Sequence, residues 1–139
     1  MAEKYDKVRK ARLYKADSNC CGVVAVSIAC RLPYNKAHEV CARVGRKNGQ
    51  GMSLGALVAA IQVAGCQAQY IHPSELKQAN GSRYTCATIG KALKRGYYIA
   101  YTRNHAVAVV NGKVEDWTEG HRHQIRGAWK VTVPKGSRS

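Results

Sequence analysis

Residues 21–31 read Cys-Gly-Val-Val-Ala-Val-Ser-Ile-Ala-Cys-Arg, and both faces set by a helical period, 21/24/25/28 and 23/26/27/30, are apolar or small. A helix that is apolar all round belongs inside a core, so this segment predicts a central helix. Leu32-Pro33 stops it, and Pro33 opens a second helix over 34–44, with Gly45 as its C-terminal cap. The two form a helical hairpin. A basic, glycine-spaced loop follows, Arg46-Lys47-Asn48-Gly49-Gln50-Gly51. Ser53 is then placed to cap a third helix over 54–64, whose apolar face is Leu54, Leu57, Val58 and Ile61 and which Gly65 closes.

Beyond Gly65 the period changes. Residues 67–71 alternate as a short strand, while His72-Pro73 and Asn80-Gly81-Ser82 mark irregular chain. A short helix is expected over 88–94, ending at Gly96. Strands are expected over 97–102, 105–110, 113–117 and 128–133, and Asn111-Gly112 between two of them is a strong hairpin signal. Helices first and an antiparallel sheet afterwards predict an α+β fold with the helices on one face or end of the sheet. One domain over 1–139 accommodates all of this, with a basic N-terminal segment at 1–14 and a flexible tail at 134–139.

The hairpin has a chemical consequence. A two-residue turn at Asn111-Gly112 pairs Val110 with Lys113, Val109 with Val114, Val107 with Asp116 and His105 with residue 118. Alternation then puts His105, Val107, Val109, Val114 and Asp116 on one face, and Glu115 on the other. His105 and Asp116 become diagonal neighbours, about 7–8 Å apart at the backbone and within reach of each other's side chains. At the other end of the argument, Cys20 and Cys21 stand where the central helix begins, and unpaired amides together with the helix dipole lower the pKa of a thiol in a first turn. A nucleophile, a base and a group that orients the base are the parts of a thiol hydrolase. Each part also has an ordinary reading: a buried inert thiol, and a polar pair at the end of a sheet.

Composition narrows the surroundings. The N-terminus is charged, with no apolar run behind it, and no stretch reaches the roughly 18 apolar residues of a membrane span. The expectation is a cytoplasmic protein without a membrane partner. Six cysteines without a signal segment are expected as free thiols. No Cys-x-x-Cys or Cys-x-x-His pair is present, so neither a metal nor another cofactor is expected. The net charge of +15, from 23 basic and 8 acidic residues, predicts attraction to polyanions.

Three stretches together, Asn-Cys-Cys-Gly with its buried helix, Gly-Arg-Lys-Asn-Gly-Gln-Gly-Met, and Asn-His-Ala-Val-Ala-Val-Val-Asn-Gly-Lys-Val-Glu-Asp-Trp, carry a resemblance. Over residues 15–118 the chain resembles the small papain-like cysteine peptidase domains of bacteriophages, which are similar to the leader-peptidase domains of bacteriocin exporters. The resemblance implies a papain-like fold and a cysteine peptidase or deamidase-like enzyme, with Cys21 as nucleophile, His105 as base and Asp116 as its orienting acid, acting on a protein or peptide substrate in an infected host cell or from a virion. Cys20 then occupies the place of an aspartate in the family pattern. The glutamine that builds the family's oxyanion hole is missing from Tyr14-Lys-Ala-Asp-Ser-Asn, so that role is expected of Asn19 with the Cys21 amide. An arginine frequent three residues after the nucleophile in phage relatives is Val24 here.

The alternative is a papain-like scaffold without turnover that acts as a basic adaptor for a host protein or nucleic acid. Its expected contacts are Arg46, Lys47, Arg122 and Arg126, and Tyr97, Tyr98, Tyr101, Trp117 and Trp129 could supply stacking, although their place on expected strands favours a core role for each.

Overall fold

A computed structural model describes residues 3–8, 10, 20–47, 49–103, 105–116 and 121–134. Among the described residues there are four α-helices: α1 (Glu3–Val8), α2 (Cys21–Ala29), α3 (Tyr34–Arg43) and α4 (Leu54–Val63). The strands are β1 (Gln67–Ile71), β2 (Tyr97–Tyr101), β3 (Ala106–Val110), β4 (Lys113–Val114) and β5 (Gly127–Thr132). They form one antiparallel sheet in the order β1-β5-β2-β3-β4. The fold is therefore α+β.

α2 is the central helix. Every residue from Gly22 to Ala29 is buried, and burying each of Val23, Val24, Val26 and Ile28 contributes on the order of 1.5–3 kcal/mol. The helix lies against β3 and β2 on one side and α3 on the other. Ser53 caps α4 by accepting a hydrogen bond from the Ala56 amide at 3.1 Å, as its position before the apolar face predicts.

The sheet separates two cores. Ala106, Ala108, Val110, Ile99, Trp129 and Val131 pack with the helices, while Val107, Val109, Val114, Ala100 and Ala128 pack with Leu76, Cys86, Ile89, Leu93 and Ile125. Burial on both faces explains why all five residues of β3 are buried. The helices do lie on one face, as expected. The second face is covered by the excursion between β1 and β2, which contains only two 3₁₀ turns, Pro73–Leu76 and Ile89–Lys91, in place of the expected helix over 88–94.

Two features depart from the pattern along the chain. The segment read only as basic contains α1, whose Tyr5 and Val8 enter the helix-side core. The hairpin turn forms at Asn111 and Gly112 with positive φ at both (48° and 85°), which only Gly and Asn adopt readily, but the regular ladder ends at Val114. The Glu115 amide still bonds the Ala108 carbonyl at 2.9 Å, so the predicted register continues one residue past the strand. The expected strand end at Trp117 and residues 135–139 of the expected tail lie outside the described residues.

Among the described residues no helix is long and apolar enough to cross a membrane.

Candidate active site

Cys21 is the first residue of α2, and Cys20 before it makes no side-chain cap. The amides of the first helical turn have no acceptor within the helix, since the intrahelical ladder begins with Val24 N–H donating to the Cys20 carbonyl at 2.9 Å. Cys21 therefore sits among backbone donors, at the positive end of a helix dipole. It is also the one partly exposed cysteine of the six; Cys20, Cys30, Cys41, Cys66 and Cys86 are buried. Cys41 illustrates the contrast, because burial pushes its thiol up to about 12 despite the nearby Arg46 charge.

His105 immediately precedes β3, at the end of the strand that packs against α2. Its Nε2 lies 2.7 Å from Asp116 Oδ2, and Asp116 is buried at 2 % exposure. With Nε2 engaged by the carboxylate, Nδ1 is the ring nitrogen left for Cys21, with which His105 also hydrogen-bonds. Desolvation alone would lower the imidazole pKa, but the hydrogen bonds to Asp116 and Cys21 and their charges outweigh it and push it up to about 9. At Cys21 the balance runs the other way. Burial raises the thiol, yet the His105 hydrogen bond, the Ala106 amide, the His105 charge and the Gly22 amide together bring it below its ordinary value. Each shift favours the charged form of its group, thiolate at Cys21 and imidazolium at His105.

The placement of Asp116 depends on its neighbour. Glu115 points to the opposite side, as the alternation predicts, and is buried there at 3 % exposure. Its Oε1 accepts from the backbone amides of Lys4 at 3.0 Å and Tyr5 at 3.4 Å. This carboxylate thus ties the end of the hairpin to the first turn of α1 while its neighbour holds His105.

A cleft of about 360 Å³ opens beside the sulfur. Gly22, Gly51, Met52, Ser53 and Leu54 line it from the helical side, and Thr102, Arg103, His105 and Ala106 from the sheet side. A Cβ on Gly22 would stand 2.8 Å from Met52 Sδ, so the absence of a side chain there lets Met52 lie over the first turn of α2. Met52, Thr102 and Arg103 were not singled out by the pattern of the chain. The only signal for Met52 was its place after the glycine-spaced loop.

Of the residues expected at the site, Cys21, His105 and Asp116 are brought together, and Asn19 lies outside the described residues. The basic residues divide. Lys47, Arg122 and Arg126 are exposed, but Arg46, expected on an exposed loop, is buried at 8 % exposure with its Nε donating to the Gln50 carbonyl at 2.8 Å. Arg46 closes its own loop, and its burial counts against a contact with polyanions. Trp129, whose place on an expected strand favours a core role over stacking, is buried at 7 % and packs its ring against Tyr101 and Tyr70 at 5.2 and 5.7 Å. Among the described residues no three His, Cys, Asp or Glu side chains are grouped to hold a metal ion.

Comparison of the chain with family models, curated proteins and solved structures finds no match.

Proposed function

We propose that the protein is a papain-like thiol hydrolase that cleaves an amide bond of a protein or peptide, with Cys21 as nucleophile, His105 as proton carrier and Asp116 as the group that orients His105. The observation that carries this reading is the contiguous line of Asp116, His105 and Cys21, in which the carboxylate–imidazole distance is 2.7 Å and the thiol is held below its ordinary pKa by His105 and two backbone amides. An inert buried thiol would show the opposite shift, as Cys41 does.

In this mechanism the Cys21 thiolate attacks the substrate carbonyl carbon, and the C=O π pair moves onto oxygen. The Cys21 amide, free of an intrahelical acceptor, donates to that oxyanion. Collapse breaks the C–N bond as the His105 imidazolium gives its proton to the departing amine, leaving a thioester on Cys21. His105, now neutral, takes a proton from water as the water attacks the thioester. The acid product leaves, and His105 and Cys21 return to the ion pair. Asp116 keeps the ring in the tautomer and orientation that both proton transfers need. Arg103 on the wall of the cleft, with the net charge of +15, gives it a preference for acidic substrates.

The test is the pH dependence of alkylation read separately at each cysteine by mass spectrometry. Cys21 is expected to react well below the ordinary thiol pKa of about 8.5, and to lose that reactivity in His105→Ala. Equal reactivity of Cys20 and Cys21, or an inert Cys21, would remove the proposal.

A scaffold reading has one observation in its favour, the exposure of Lys47, Arg122 and Arg126 on a strongly basic chain. It predicts polyanion binding that survives Cys21→Ala unchanged.

A further inference from the structure

A cavity larger than the cleft beside Cys21 is present among the described residues. It lies at the opposite end of the same helix, opens to solvent, has a volume of about 590 Å³, and is lined by Val8, Ile28, Leu32, Tyr34 and Tyr97 together with the cations Lys4, Lys10 and Arg31. That volume falls within the roughly 300–1,000 Å³ of small-molecule sites. Among the described residues its lining contains no acidic side chain.

Arg31 is placed there against the local preference of the chain. α2 ends in a Schellman turn, with Leu32 N–H donating to the Ser27 carbonyl at 2.9 Å and Arg31 N–H to the Ile28 carbonyl at 3.3 Å. The residue at the left-handed position of such a turn is usually glycine; here it is Arg31, at φ 57°. A left-handed non-glycine residue is strained, and strain of this kind collects at functional positions. The guanidinium carbon lies 3.9 Å from the centre of the Tyr97 ring, and Lys4 Nζ lies 5.9 Å from the same centre. Two like charges thus converge on one aromatic ring. Arg31 Nε is buried and has no hydrogen-bond partner, and among the described residues Arg31 makes no ion pair. A buried donor without an acceptor is costly, and an anion between the cations would relieve both the unmet donor and the repulsion.

We propose that this cavity binds a small amphipathic anion, whose carboxylate or phosphate meets Arg31 and Lys4 while its apolar or aromatic body lies against Val8, Ile28 and Leu32. A guanidinium stacked on a ring presents its planar fork of donors to a carboxylate or phosphate in two-point geometry. The site stands independently of any chemistry at Cys21.

The test uses the full chain with three probes of one shape class: phenyl phosphate, phenylacetate and uncharged benzyl alcohol. Binding is followed by calorimetry, and its place by amide chemical shifts. Either anion is expected to bind with shifts at Arg31, Leu32 and Tyr97, and which of the two binds tells whether phosphate or carboxylate is the recognised group. Arg31→Gly keeps the helix end, since glycine suits the left-handed position, and is expected to raise Tm while weakening the anion by about tenfold or more. Arg31→Gln is expected to weaken it similarly without the gain in Tm. No binding of either anion at millimolar concentration, shifts centred elsewhere, equal binding of benzyl alcohol, or affinity unchanged in Arg31→Gly would each overturn the proposal.

Discussion

A histidine that is held protonated up to about pH 9 carries a signature that an ordinary polar pair lacks. Its folded pKa stands above the value of 6.5 it starts from, so the stabilisation from its protonation is complete below about pH 6.5 and is lost as pH rises through about 9. The stability advantage of the wild type over His105→Gln, measured by denaturant unfolding at a series of pH values, is therefore expected to shrink across that interval. A constant difference would mean that Asp116 and Cys21 do not stabilise the proton on His105. Turnover depends on the same groups. Once a peptide substrate is found, the alkaline limb of kcat/KM is expected near pH 9, where the imidazolium needed by the leaving amine disappears. Asp116→Ala removes a cause of the elevation, so the limb should move toward neutral pH, with a fall in kcat/KM of about 10²-fold or more. An unmoved limb would assign it to another group.

At the scale of elements, the site is held by connections that differ in how far the chain announces them. α2, the Ser53 cap, and the pairings Val109–Val114 and Val110–Lys113 all follow from local rules: an apolar run, a capping side chain and an Asn-Gly turn. His105 beside Asp116 follows from that same turn, because one register carries it across eleven residues. α1 was not legible, since Lys4 and other charges hide its two core residues, Tyr5 and Val8, and Glu115, which holds its first turn, is 110 residues away from Tyr5. The burial of Arg46 was not legible for a related reason: a basic residue in a glycine-spaced loop looks solvated until the Gln50 carbonyl turns toward it. The long-range tie is testable. Glu115→Ala should free the first turn of α1, lowering stability by about 1.5–3 kcal/mol, the range for hydrogen bonds to a charged group, and raising amide exchange at Tyr5. Unchanged exchange there would show that α1 is held by Tyr5 and Val8 packing alone. A second tie joins the 3₁₀ turn at Gly90 to the hairpin, where a Cβ on Gly90 would run into the Gly112 carbonyl oxygen. Gly90→Ala is expected to cost about 1–3 kcal/mol as overpacking, read as a lower denaturation midpoint. An unaltered midpoint would mean that the turn moves aside freely.

For the molecule as a whole, the net charge of +15 over 139 residues acts at longer range than any one contact. Such a field speeds encounter with acidic partners and holds polyanions without choosing among them. What distinguishes a bound surface from a diffuse field is counterion release: each phosphate neutralised by a lysine or arginine steepens the fall of log K with log salt by about 0.9 on duplex DNA. Lys47, Arg122 and Arg126 are exposed and open to that test, whereas Arg46 is bound into its loop, and reversing its charge would perturb the fold instead. Lys47→Glu, Arg122→Glu and Arg126→Glu combined are expected to reduce the salt slope on a random-sequence duplex by up to about three. The Cys21 alkylation profile should stay as it is, because none of the three lines the cleft. A slope that does not change places the binding on other cations. A slope that falls together with Cys21 reactivity would instead join the basic surface to the site, with the field of these residues helping to hold the thiolate in its charged form.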